Sequence, residues 1–220
     1  MAQILFFGGS SVQGVGDTEG GWVDRFKREL HGKMYGPEKN GQQHHIFNLG
    51  ILGNASSQVL ERIPYELPER QWDGQNFVVV IGVGTNDSKA EEAPTNYVSN
   101  VQEFMVTLQN IIDFVRSYTS HIVVVGMTPI DDTRTRPTAN GTFYSQGRVQ
   151  EFNAALMDVA QSNHLAFVEV YNSMLALDWR AMLYDDGLHL NSLGHEWLYH
   201  RIRQPLLTAI DAADRTGSQQ

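Results

Sequence analysis

The chain has 220 residues, of which 41% are hydrophobic and 19% are charged, a composition typical of a globular protein with a substantial core. Its formal net charge of −9, from 25 acidic and 16 basic residues, argues against a surface that binds nucleic acid or an anionic membrane. The absence of cysteine excludes disulfides, thiolate metal sites and a thiol nucleophile.

The N-terminal segment lacks the features of a signal peptide. It has no basic residues, and its apolar run, Ile4–Phe7, ends at a glycine after four residues. No stretch of the sequence approaches the roughly 20 apolar residues that a membrane span requires. We therefore expect a cytoplasmic protein without stable membrane insertion, and the sequence leaves its oligomeric state open.

The first predicted strand, Gln3–Phe7, leads into a glycine-rich turn. Gly8 and Gly9 interrupt the apolar run, and Ser10 follows directly. A serine on a sharp strand-to-helix turn can expose its hydroxyl as a nucleophile, and glycines permit the close backbone approach that such a turn needs. The glycines continue through residues 14–21, a pattern that also suits a phosphate-binding loop. This stretch alone leaves both interpretations open.

Strands and helices alternate along the rest of the chain. Solid apolar runs predict strands that are covered on both faces, and apolar residues repeating every three to four positions predict helices. The further predicted strands are His45–Leu49, Phe77–Ile81, Ile122–Val125 and Ala166–Val170. The first two predicted helices contain Trp22–Leu30 and Val59–Ile63, the second capped by residues of Asn54–Ser57. A long helix is predicted from Pro94 through Tyr97 to Val115, followed by helices at Val149–Ala160, at Ser173–Met182 and after Asn191. The tail Asp211–Gln220 is expected to fray.

This alternation predicts an α/β fold with a five-stranded, mostly parallel sheet between two layers of helices, a three-layer sandwich of the flavodoxin-like type. No linker, repeat or low-complexity block interrupts residues 1–220, which we interpret as one domain. In open sheets of this kind, ligands bind beyond the carboxyl ends of the strands. The turns after the first three strands contain Gly9–Ser10, Gly50–Asn54 and Gly84–Asp87. We expect these turns to meet at one edge.

Several residues have the chemistry of an acyl-transfer site, which needs a nucleophile, a base, a group that orients the base, and donors for an oxyanion. Ser10 is the candidate nucleophile, and Asn86 offers a side-chain amide donor. His189, on a late loop, is the candidate base. Asp186, three residues before it, can reach the imidazole Nδ1 and leave Nε2 facing the serine. Asp185 is the alternative acid.

These residues fall in four blocks that resemble the GDSL-type, or SGNH, hydrolases. The blocks occur in the family's order and are Gly8-Gly9-Ser10-Ser11, Asn48–Ser56, Gly84-Thr85-Asn86-Asp87 and Asp186-Gly187-Leu188-His189. The resemblance implies a serine esterase with a catalytic triad of Ser10, Asp186 and His189, acting on a small-molecule ester. It also implies an oxyanion hole formed by the N–H groups of Ser10 and Gly53 and by the amide of Asn86. We expect no cofactor and no metal, since the histidines are scattered.

Two positions qualify the resemblance. The family's aspartate before the nucleophile is Gly9 here, so we expect the hydrogen bonding at this turn to differ. In the second block Gly50 competes with Gly53, and we favour Gly53 because small polar residues follow it. The long loop Thr128–Ser145 is expected to shape the acyl or alcohol pocket. Its Arg134, Arg136 and Tyr144 indicate a polar alcohol portion of the substrate.

The leading functional prediction is an esterase for short acyl chains, such as acetyl. Lysophospholipase, thioesterase and acyltransferase activities are alternatives that would use the same residues. An alternative of another class is a non-catalytic flavodoxin-like module that binds FMN or a phosphate in the loop after the first strand.

Overall fold

A single parallel sheet forms the centre of the computed structural model, which describes residues 1–39, 41–72 and 74–217. Its strands are β1 (Ala2–Gly8), β2 (His45–Gly50), β3 (Asn76–Gly82), β4 (Ile122–Val125) and β5 (Ala166–Val168). They lie in the order β2-β1-β3-β4-β5, and every neighbouring pair is parallel. The predicted α/β class and five-stranded parallel sheet are confirmed.

Helices cover both faces of the sheet. Those of the described residues are α1 (Ser10–Gln13), α2 (Gly21–Tyr35), α3 (Ser56–Glu66), α4 (Val101–Arg116), α5 (Gln146–Ser162), α6 (Tyr171–Leu175) and α7 (Ser192–Gly217). Helices α3, α4 and α5 pack on one face, and α2 and α7 pack on the other. In the described part of the chain, no helix combines the length and the apolar character needed to cross a membrane.

The central strand β1 divides the core into two clusters. Leu5 and Phe7 face α3 and α4, whereas Ile4 and Phe6 face α2 and α7. All four side chains are fully buried, as expected for a parallel strand with helices on both sides. The sheet therefore holds the carboxyl end of β1, where Ser10 follows, between two packed layers.

The predicted start of the long helix at Pro94 is wrong. Helix α4 begins at Val101, and Tyr97 lies in the preceding loop with 47% of its surface exposed. The Asn100 side chain accepts a hydrogen bond from the Glu103 N–H (2.9 Å), and the Glu103 carboxylate accepts one from the Asn100 N–H (3.2 Å). This reciprocal capping box fixes the helix start.

Other boundaries near the C-terminus also differ from the sequence prediction. The fifth strand ends at Val168, and the helix predicted over Ser173–Met182 is divided into α6 and a 3₁₀ turn at residues 179–182. The tail predicted to fray from Asp211 is helical through residue 217, because Ala213 is buried and its carbonyl oxygen accepts a hydrogen bond from Asn76. Residues 218–220 of that prediction lie outside the described residues.

Candidate active site

The carboxyl ends of β1, β2 and β3 bring the predicted turns together. In the sheet register, Gly8 lies beside Gly50 of β2 and Gly82 of β3. A Cβ atom on Gly8 would lie 2.3 Å from the carbonyl oxygen of Gly82, so the strands approach this closely only with glycine at that position. Directly after this contact the chain turns into α1, whose first residue is Ser10.

Ser10, His189 and Asp186 form a continuous chain of hydrogen bonds. His189 Nε2 lies 2.9 Å from Ser10 Oγ, and His189 Nδ1 lies 2.6 Å from Asp186 Oδ2. The other carboxylate oxygen of Asp186 accepts the backbone N–H groups of Leu188 and His189. The alternative acid, Asp185, is exposed and contributes its backbone carbonyl oxygen to a hydrogen bond from Arg134. The geometry therefore favours Asp186.

The charge of Asp186 determines which ring nitrogen of a neutral His189 has the proton. Burial by itself would raise the pKa of Asp186, but hydrogen bonds from the His189 ring and from two backbone N–H groups lower it to about 2. Asp186 is therefore an ionised acceptor near neutral pH, and the proton of the neutral imidazole resides on Nδ1. This tautomer leaves the Nε2 lone pair facing Ser10, which is the arrangement that a general base needs.

The Asn86 amide lies near Ser10 and is held at both ends. Its Oδ1 accepts a hydrogen bond from the Tyr144 hydroxyl (2.9 Å), and its Nδ2 donates to the carbonyl oxygen of Asn54 (3.0 Å). A primary amide has two N–H donors, so one N–H of Asn86 remains available at the cavity that also contains Ser10. Neither Tyr144 nor the Asn54 carbonyl was identified as a partner from the sequence.

Gly50 and Gly53 of the second block have different surroundings. The N–H of Gly50 donates to Asn48 Oδ1 (3.1 Å), and a Cβ atom there would lie 2.3 Å from the backbone nitrogen of Gln13. Gly53 is exposed and has φ +79°, and a Cβ atom at this position would meet no other atom within 4 Å. The N–H of Gly50 is already engaged, and Gly53 is not among the residues that line the cavity beside Ser10. Its role as the oxyanion donor of this block therefore stays a prediction.

The loop between β2 and α3 is tied to its neighbours by two side chains. Asp87 accepts the backbone N–H of Ser56 with both carboxylate oxygens (3.0 and 3.1 Å) and also accepts its hydroxyl. Helix α3 is therefore capped from the turn after β3, because Ala55 at its own cap position has no polar side chain. Arg62 donates to Asn54 Oδ1 (3.0 Å) and to backbone carbonyls at the ends of β1 and β2.

The glycine loop after Ser10 does not support the phosphate-binding alternative. The Asp17 carboxylate accepts the N–H of Gly21 (3.1 Å), and His195 Nδ1 accepts the N–H of Trp22 (3.3 Å). His195 Nε2 donates to the Val15 carbonyl oxygen (3.0 Å), and burial lowers the pKa of this imidazole. The N-terminus of α2 is thus occupied by the protein's own carboxylate and neutral imidazole, where a bound phosphate would have to lie.

The loop Thr128–Ser145 contacts both halves of the site. Its Asp131 N–H donates to the Gly187 carbonyl oxygen (2.8 Å), in the turn between Asp186 and His189. Its Tyr144 reaches Asn86 from the other side. The Tyr144 hydroxyl is engaged with Asn86, whereas Arg134 uses one guanidinium N–H on the Asp185 carbonyl oxygen (3.2 Å). A polar alcohol portion contacted by Arg134 and Arg136, both exposed, stays a prediction.

A cavity of about 60 Å³ opens beside Ser10. It lies at the ends of β1, β3 and β4 and is lined by Ser10, Val83, Asn86, Met127, Leu188 and His189, among others.

Comparisons with known proteins agree with this fold. The model of the GDSL-like lipase/acylhydrolase family matches residues 6–197. The GDSL esterase/lipase CPRD49 of Arabidopsis thaliana is 26% identical over 205 residues, covering 87% of this chain and 73% of that protein. The lipase/acylhydrolase from Enterococcus faecalis superposes with a TM-score of 0.74 at 23% identity, covering 94% of this chain and 95% of that one. The acetyl xylan esterase AlAXEase gives 0.73 at 20% identity, with coverages of 92% and 98%.

Proposed function

The chain belongs to the GDSL-like lipase/acylhydrolase family and is a carboxylic ester hydrolase; from this premise we propose that it cleaves esters of short acyl chains through an acyl-enzyme on Ser10. The observation that carries the proposal is the hydrogen-bond chain from Asp186 through His189 to Ser10. It joins a nucleophile, a base and an orienting acid in the geometry that acyl transfer requires.

In the acylation step, Ser10 Oγ attacks the ester carbonyl carbon while its proton moves to His189 Nε2. The carbonyl oxygen becomes an oxyanion, which accepts hydrogen bonds from the N–H groups of Ser10 and Gly53 and from the free Asn86 N–H. Asp186 stabilises the imidazolium that forms. The tetrahedral intermediate then collapses, and His189 returns the proton to the departing alkoxide, so an alcohol leaves and the acyl group remains on Ser10.

Deacylation repeats these steps with water as the nucleophile. His189 Nε2 accepts a proton from water as the water oxygen attacks the acyl carbon. The second tetrahedral intermediate uses the same oxyanion donors. Its collapse breaks the bond to Ser10 Oγ, which regains a proton from His189, and the carboxylic acid is released.

The size of the cavity supports a short acyl chain. A cavity of this volume beside the nucleophile suits an acetyl or similarly small acyl group better than a fatty acyl chain. Met127 and Gly84 both line this cavity, and the terminal methyl group of Met127 lies against Gly84, where a Cβ atom would lie 1.8 Å from it. A structural relative that is named an acetyl xylan esterase agrees with this assignment.

The proposal is tested with p-nitrophenyl acetate, butyrate and octanoate, and with a thioester and a lysophospholipid in the same panel. The variants are Ser10→Ala and, as a matched control in the same turn, Ser11→Ala. We expect the acetate to have the highest kcat/KM, Ser10→Ala to abolish turnover and labelling by a fluorophosphonate, and Ser11→Ala to retain both. Full activity in Ser10→Ala would refute the acyl-enzyme, and preference for octanoate or the lysophospholipid would refute the short-chain assignment.

A further inference from the structure

An asparagine side chain supports an oxyanion only when it is correctly oriented. Its amide has a donor end and an acceptor end of nearly the same shape, and a 180° rotation exchanges them. At Asn86 only the Nδ2 end can donate to an oxyanion, whereas Oδ1 in the same place would repel it. The proposed chemistry therefore requires contacts that hold the Asn86 amide in one of its two orientations.

Two hydrogen bonds of Asn86 hold its amide in one orientation. Tyr144 donates to Oδ1, and one Nδ2–H donates to the Asn54 carbonyl oxygen, so the second Nδ2–H is the remaining donor of the amide. Rotation of the amide would place Oδ1 against the Asn54 carbonyl oxygen, an acceptor facing an acceptor. It would also deprive the buried Tyr144 hydroxyl of its acceptor, which is costly away from water.

Tyr144 is itself held in a fixed position. Only 5% of its surface is exposed, its N–H donates to the Thr135 carbonyl oxygen (2.9 Å), and its own carbonyl oxygen accepts the Thr135 hydroxyl (3.1 Å). Burial raises the pKa of Tyr144 to about 12, so the hydroxyl remains protonated, and therefore a donor, at any pH suitable for ester hydrolysis.

We infer that Tyr144 is a positioning residue for the oxyanion hole, which orients the Asn86 amide so that one N–H points toward the ester oxygen next to Ser10. This inference rests on the proposed function, in which Asn86 is an oxyanion donor. The hydrogen bond from Tyr144 also polarises the amide, because hydrogen bonds in a chain strengthen one another, and this improves the free N–H as a donor.

The test is a double-mutant cycle between Tyr144→Phe and Asn86→Ala, measured with p-nitrophenyl acetate. Phenylalanine keeps the packed ring and removes only the hydroxyl. We expect Tyr144→Phe to lower kcat about tenfold with little change in KM, and to shift the melting temperature by at most about 4 °C. In the Asn86→Ala background, Tyr144→Phe should cause no further loss, because its partner is absent.

Tyr171→Phe is the matched control. Tyr171 is equally buried, and its hydroxyl donates to the backbone carbonyl oxygen of Gln146 (3.4 Å) rather than to a candidate site residue. We expect its kcat to equal that of the wild type. A role of Tyr144 in general stability would instead lower activity by the same factor in both the wild-type and Asn86→Ala backgrounds.

The outcomes separate this inference from the proposed function. Equal losses in the two backgrounds, or an unchanged kcat in Tyr144→Phe, would overturn the inference, while an inactive Ser10→Ala in the same series would keep the esterase assignment. A wild-type protein that neither hydrolyses the panel nor reacts with a fluorophosphonate would overturn the proposed function, and the inference with it.

Discussion

The two sides of Ser10 are built in different ways. On the base side, Asp186 and His189 come from one short turn and contact each other directly, only three residues apart. On the oxyanion side, the Asn86 amide depends on the Asn54 carbonyl, 32 residues away, and on the Tyr144 hydroxyl, 58 residues away. A local turn can set its own geometry, whereas the oxyanion side acquires its geometry only when the whole sheet and its loops have assembled.

The largest effect on kcat is expected from Asp186→Asn, which removes the carboxylate that orients His189. The neutral amide cannot hold the Nδ1–H tautomer of His189 as the carboxylate does, so we expect kcat to fall about 10³–10⁴-fold while the fold is retained. Steady-state kinetics together with circular dichroism measure this. Asp185→Asn is the control, and a comparable loss in that variant would mean that the acid of the triad has been misassigned.

Removing the oxyanion donor with Asn86→Ala should have the next largest effect. Loss of one preorganised donor typically lowers turnover about 10²–10³-fold, with KM less affected because the oxyanion exists only in the transition state. The kcat of purified Asn86→Ala checks this value. A loss of less than about fivefold would show that Asn86 does not face the developing charge.

A smaller effect on the oxyanion side is expected from Gly9→Ala. The new Cβ atom would lie 2.9 Å from Asn86 Nδ2 and 3.0 Å from the Asn54 carbonyl oxygen, so it should displace the amide without removing it. We expect kcat to fall about tenfold. The family's aspartate at position 9 would place its Cβ atom in the same crowded position.

Gly32→Ala is the matched control for this substitution. Gly32 lies in α2, and a Cβ atom there would meet no other atom within 4 Å. Alanine in a helix interior should stabilise the protein by about 0.5–1 kcal/mol and leave kcat unchanged. Wild-type kcat in Gly9→Ala would show that Asn86 tolerates displacement.

The smallest effect on kcat is expected from Glu29→Gln, because Glu29 lies away from the base side and the oxyanion side of the site. Burial would raise the pKa of Glu29, but hydrogen bonds from Arg203, Lys33 and Tyr199 lower it to about 2 from 4.5. Because the folded-state pKa is depressed, the ionised carboxylate stabilises the fold fully above pH 4.5, and this contribution is lost as the pH falls toward 2.

Glu29→Gln should therefore lower the free energy of unfolding by roughly 1 kcal/mol at neutral pH, since its partners are partly exposed. The difference from wild type should shrink as the pH falls below 4.5, and kcat should be unchanged at neutral pH. Denaturant unfolding at several pH values, with kinetics at neutral pH, measures both quantities. A difference that grows on acidification would contradict the assigned direction of the pKa shift.

The contrast between local and distant contacts also explains what the sequence could predict. Asp186 and His189 could be proposed because their spacing can bring a carboxylate within reach of an imidazole, and the resemblance to the family's block favoured Asp186 over Asp185. Tyr144 could not be identified in its role, since no spacing rule connects it with Asn86 and an aromatic residue in a long polar loop has many possible contacts. The cap of α3 by Asp87 was missed for the same reason, because it crosses from one turn to another.

Helix boundaries depended on competing local signals. Pro94 suits the first turn of a helix, but Asn100 and Glu103 form the capping box that sets the actual start of α4. This capping-box pattern, with Asn100 three residues before Glu103, is present in the sequence and could have been recognised. The extent of α7 through residue 217 could not have been predicted from the sequence, because it depends on the packing of Ala213. It also depends on a hydrogen bond from Asn76, at the distant start of β3.

Helix α7 has a consequence for the order in which the protein can mature during synthesis. Its apolar side chains, Leu198, Ile202, Leu206 and Ile210, cover the face of the sheet formed by alternate residues of β1, β3 and β4. A nascent chain that has left the ribosome only as far as β5 has all five strands and α2, but the part of this face that α7 covers is still open to water. The candidate base His189 and the helix that completes this face emerge together, between residues 189 and 217, so a chain that stops before them lacks both.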